Sequence, residues 1–78
     1  MSPHLAIARA LLTEGITRAG AARLHVAYTA ADPEKRAPAY LAWTAASDLH
    51  GQAEDAVAVA LAGASTRDLA RAQAYLEA

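Results

Sequence analysis

Residues 30–36 read AADPEKR, and the rest of the chain is organised around them. An aspartate ahead of a proline is a strong helix start. The carboxylate can cap the first amides, and proline suits the first helical position because its missing N–H would be unpaired there anyway. One helix therefore stops near Ala31 and a second begins at Pro33. Asp32 and Arg36 sit four apart, the spacing of a favourable pair.

Working back from the turn, Ser2-Pro3 gives the same start signal. Between them, positions 5, 8, 12, 15, 19, 22, 26 and 29 read Leu5, Ala8, Leu12, Gly15, Ala19, Ala22, Val26 and Thr29, a heptad seam without a charge. Working forward, positions 39, 42, 46, 49, 53, 56, 60 and 63 form a second seam, nearly pure alanine. Trp43, His50, Val57 and Ala64 flank it at sevenfold spacing. Small seam residues allow close helix packing. Ser65-Thr66-Arg67-Asp68 is a capping box that opens a third element, with Leu69, Ala72 and Leu76 on one side and Tyr75 beside them. No stretch alternates in the manner of a strand.

The predicted fold is all-α: an antiparallel helical hairpin with a short third C-terminal helix. The helices span about 3–31, 33–62 and 66–77 of a single domain, 1–78. Gly15 and Gly51 fall at similar distances from the turn. They permit close backbone approach, or alternatively a break at Gly15, with Thr17 as a new cap, and a kink at Gly51.

Composition narrows the function. Alanine supplies 24 of the 78 residues, and the larger apolar residues number only 19. So small a chain has little core to bury, which predicts close helix packing, a partner chain or both, and the alanine seams suggest a homodimer with a four-helix core. With no cysteine, disulfides and thiolate chemistry are excluded. The first residues lack a basic leader, no segment is apolar enough to span a bilayer, and the expected location is the cytoplasm. No phosphate-binding glycine loop, nucleophile elbow or His-Glu-x-x-His motif is present. No cofactor is expected, and the chain reads as not an enzyme.

The most chemically capable stretch is SDLHGQAED, Ser47 to Asp55. His50 and Glu54 share a helical face at a spacing that can bind a metal, with His25 or Glu14 as further ligands. Two ligands do not make a site, so His50, Glu54 and His25 stand as metal candidates only. The preferred reading is an interhelical ladder. Facing positions of a hairpin turning at Asp32 sum to roughly 64, which sets Glu14 near His50, Arg18 near Asp48 and Arg9 near Asp55. His25 reads as a packed, hydrogen-bonded seam-edge side chain, and His4 as solvated.

Gly15 to Ala31, GITRAGAARLHVAYTAA, resembles the helix-turn-helix segment of small prokaryotic regulators through Ile16, Thr17, Ala21, Ala22, Leu24 and Val26. His25 stands where that pattern has its turn glycine, and Ala27 where it has a capping serine. The resemblance implies a turn at 25–28 and DNA binding through 15–31. The net charge of −1 and the dispersed arginines point away from nucleic acid, because affinity for DNA rests on neutralising phosphates. The expected function is a non-catalytic protein–protein interaction or regulatory module, partnered by itself and by an unidentified protein. Tyr28, Tyr40, Trp43 and Arg36 form its candidate contact surface, because Trp, Tyr and Arg dominate interface hot spots. The alternatives are the DNA-binding regulator and a metal- or small-molecule-binding bundle using His50 and Glu54.

Overall fold

A computed structural model describes residues 2–78 and shows three helices: α1 (Pro3–Ala30), α2 (Pro33–Leu61) and α3 (Thr66–Glu77). Among the described residues there is no strand, so the chain is all-α. Proline opens both long helices, as the residues flanking the turn require. Asp32 is the N-cap of α2 in an extended conformation, yet its carboxylate makes no capping hydrogen bond. Nor does it pair with Arg36. That guanidinium reaches back instead to the Ala31 carbonyl at 3.5 Å, where the end of α1 leaves acceptors unpaired.

Both glycines stay inside unbroken helix. α1 runs through Gly15 and α2 through Gly51, so neither the break nor a turn at 25–28 occurs. A helical glycine costs only about 1 kcal/mol against alanine, which long alanine-rich flanks sustain. The glycines do not serve close packing either, since a Cβ at either would meet nothing within 4 Å. α2 also absorbs Pro38 early in its course. Gly63, placed above in a seam, instead ends α2: its φ of 74° is the left-handed conformation that glycine tolerates best.

α1 packs along α2 and, separately, against α3, while α2 and α3 make no close backbone approach. Tyr28 meets Tyr40, His25 meets Trp43 and Glu14 meets His50, so residue numbers fall along one helix as they rise along the other. The side of α2 turned inward is Ala39, Trp43, Ala46, His50, Ala53, Val57 and Ala60, continued past its end by Ala64. It takes half of the alanine seam and all four of the flanking residues, while Ala42, Leu49 and Ala56 face out. The α1 seam is displaced further. Ile7, Leu11, Glu14, Thr17, Ala21, Leu24 and Tyr28 turn inward, and the uncharged row chosen above leaves Leu12 and Val26 more than half exposed. Glu14, the charge that an uncharged seam leaves out, is inside because His50 meets it.

The core is small. Ile7, Ala8 and Ala72 form one buried cluster, with Leu11, Ala60, Ala64 and Leu76 packed around it. α3 therefore docks on the first half of α1. Its capping box is complete: the Asp68 amide donates to Ser65 Oγ at 3.1 Å, and the Ser65 amide to Asp68 Oδ2 at 3.4 Å. Of the residues on that side, Leu69 is 43% exposed, and Ala72 and Leu76 make the contact. The molecule extends 51 × 23 × 17 Å, with a radius of gyration of 16.0 Å. A compact domain of this length would have about 11.5 Å.

Candidate functional site

Two neighbourhoods gather the polar and aromatic residues. The first centres on His50, midway along α2. Its Nε2 lies 3.3 Å from Glu14 Oε1 across the helix pair, and its Nδ1 lies 3.6 Å from Glu54 Oε1, one turn along α2. The His50 and Glu14 side chains are each only 22% exposed. Glu14 also lies 3.7 Å from Arg18, four residues on. Glu14 is thus shared between a histidine across the interface and an arginine of its own helix.

This arrangement suits a positioned histidine better than a metal centre. The two carboxylates address opposite edges of one imidazole, so they do not converge with a ring nitrogen on a common point. Among the described residues no group of three or more His, Cys, Asp or Glu side chains is placed to hold a metal ion. His25, the third metal candidate, is spent elsewhere, against Trp43.

Of the three rungs of the ladder, only Glu14–His50 forms. Arg18 turns to Glu14 rather than Asp48, and Arg9 and Asp55 make no ion pair among the described residues. Arg9, Asp48 and Asp55 are all exposed. The Glu14–His50 contact agrees with the register, but agreement in level does not by itself bring Arg9 and Asp55 into an ion pair.

The second neighbourhood lies toward the turn. Tyr28 stacks on Trp43 with ring centroids 5.5 Å apart and planes 22° from parallel. Tyr40 meets Tyr28 at 5.5 Å and Trp43 edge-on at 6.0 Å. His25 closes the group at 4.6 Å from Trp43. Offset-stacked and edge-to-face pairs at these separations add about 0.5–1.5 kcal/mol each beyond burial. The four rings fasten this end of the helix pair. They are only partly covered: Trp43 and Tyr28 are half-buried, and Tyr40 and His25 are exposed. Arg36 lies nearby on the surface, held to the Ala31 carbonyl. His25 is not the hydrogen-bonded seam residue expected of it; ring packing takes that place. The 25/43 contact was readable from the facing-position rule, which puts these residues nearly level.

The segment resembling a helix-turn-helix, residues 15–31, lies within α1 and its cap without a turn, so it has no second helix to present. No helix among the described residues is long and apolar enough to cross a membrane. Compared with protein-family models, curated proteins and solved structures, the chain matches none.

Proposed function

We propose that the protein is a non-catalytic helical interaction module of the cytoplasm. In this reading α1 and α2 form an antiparallel hairpin, two copies associate into a helical bundle, and the assembly presents the Tyr28, Tyr40, Trp43 and Arg36 end to another protein. One observation carries the reading. Among the described residues Ile7 is the only large side chain that is fully buried, while ten large apolar residues are substantially exposed. A chain so built gains more by covering its surface with protein than by standing alone.

The aromatic end supports a contact role. Tyrosine and tryptophan offer rigid, amphipathic area, and arginine a fork of donors, which is the usual make-up of an interface hot spot. The deciding experiment is native mass spectrometry from a gentle buffer, paired with sedimentation velocity. A dimer without added mass is the expected result. A monomer at every concentration would overturn the self-association, and stoichiometric metal or small molecule would overturn the non-catalytic reading and make His50 and Glu54 the first residues to substitute.

A further inference from the structure

Apart from Arg9, one long side of the α1–α2 pair carries no charge. Towards the ends furthest from the turn, a groove between the helices is lined by Ala6, Arg9, Ala10 and Thr13 of α1 and by Ala56, Val59 and Ala60 of α2. Helices packed in a heptad register return to the same side every seven residues. The α1 row therefore continues from Thr13 through Gly20 and Ala27, and the α2 row from Ala56 back through Leu49 and Ala42. Leu49 is 57% exposed and Val59 76%. The threonine here makes little demand for water. Thr13 Oγ1 donates to the Arg9 carbonyl at 2.9 Å, so covering it strands no donor.

Two rows of opposite sign border this side. Arg9 and Arg23, two heptads apart, edge it along α1, and Asp48 and Asp55, one heptad apart, edge it along α2. All four are exposed, and none forms an ion pair among the described residues.

We propose that this uncharged side is where a second copy of the chain docks, with the two-fold axis parallel to the helices, so that α1 of each copy lies over α2 of the other. The proposal rests on the self-association reading above and adds the surface and its symmetry. Charge selects the arrangement. A two-fold axis across the helices would set α1 on α1 and α2 on α2, arginine row against arginine row and aspartate row against aspartate row. The parallel axis sets each arginine row against an aspartate row. It also keeps the level at which Glu14 faces His50, and at that level Arg9 comes opposite Asp55 of the partner subunit.

Area agrees with a second copy. The chain exposes 5428 Å², against about 4,500 Å² for a typical monomer of its mass. The excess, about 900 Å², is close to the roughly 800 Å² that each partner buries in an interface of standard size. The outer side of α1, with Leu12, Ile16 and Val26, is the competing apolar surface. Arg9 and Arg23 lie in the same heptad row as Ile16, however, and Glu14, the one acid of α1, is turned toward α2. Two such surfaces would repel.

The test is sedimentation velocity on charge-bearing variants, with circular dichroism to check helicity. Leu49→Asp is expected to weaken the dimer at least roughly a hundredfold, because it buries an unpaired carboxylate at the centre of the contact. Ala58→Asp, exposed on the opposite side of α2, is expected to leave it unchanged. Arg9→Asp and Asp55→Arg are each expected to weaken it roughly tenfold through two symmetric repulsions, and the double reversal to restore it. If Leu49→Asp fails to fold, the reversal pair decides. A wild-type dimer untouched by Leu49→Asp and by both reversals overturns this surface while leaving self-association standing. A wild type that never dimerises overturns both.

Discussion

His50 shows how much one residue's surroundings decide. The same side chain reads as a metal ligand from its spacing to Glu54 and as an interhelical contact from its level opposite Glu14. The geometry favours the second, since Glu14 and His50 are mostly covered and Glu54 is largely in solvent. Glu14→Gln and His50→Gln should therefore couple. In a double-mutant cycle by chemical denaturation we expect an interaction energy of about 1 kcal/mol, the size of a partly screened, partly buried hydrogen bond. Glu54→Gln should show far less coupling to His50, because an exposed contact within one helix contributes little. Equal coupling for both glutamates would mean that the cross-helix contact fixes nothing. Glu14–His50 was readable from sequence because register alone brings it together. Arg9–Asp55 was readable to the correct level and no further, because flank is set by rotation about each helix axis, which level does not specify.

At the scale of the element, helix existence and helix rotation differ in how legible they are. The three helices follow from local chemistry: prolines at two starts, a Ser65–Asp68 capping box at the third, and alanine throughout. Rotation follows from contrast between faces, and 24 alanines supply little of it. Alanine is as acceptable inside as outside, so Ala42 and Ala46 look alike in sequence while only Ala46 turns inward. Where contrast exists, at Trp43 and Val57, the inward side was marked by the residues that flanked the chosen seam. The glycines separate propensity from conformation in the same way. Gly15 and Gly51 are helical with open space around them, so Gly15→Ala and Gly51→Ala should each stabilise the protein by about 0.5–1 kcal/mol. Gly63 also has open space but holds a φ of 74°. Gly63→Ala should destabilise by about 1 kcal/mol, through strain at the end of α2. Thermal melts of the three variants check the sign. A stabilising Gly63→Ala, or a destabilising Gly15→Ala, would mean that the backbone there is not as described.

At the scale of the whole molecule, stability and assembly are one question. α1 and α3 share a buried cluster of Ile7, Ala8 and Ala72, against which Ala60 of α2 packs; among the described residues Ala53 is the one other buried apolar residue, and the shape is drawn out to 51 Å. Little of the conformational entropy lost on folding is offset by so small a core. If a second copy covers the exposed leucines and valines, folding and dimerisation are linked, and the melting temperature must rise with protein concentration. The size of the rise follows from the enthalpy. At about 0.7 kcal/mol per residue, two chains of this length unfold with roughly 110 kcal/mol. The van't Hoff relation then gives about 4–5 °C for each tenfold increase in concentration. Calorimetry or circular dichroism melts over a hundredfold range of concentration should therefore show a shift of about 8–10 °C. The Leu49→Asp variant, if the uncharged side is the contact, should melt at a temperature independent of concentration and below the wild type throughout. A wild-type melting temperature that is flat over the same range would show that the chain stands on its small core alone, and that its exposed apolar residues answer to some occupant other than itself.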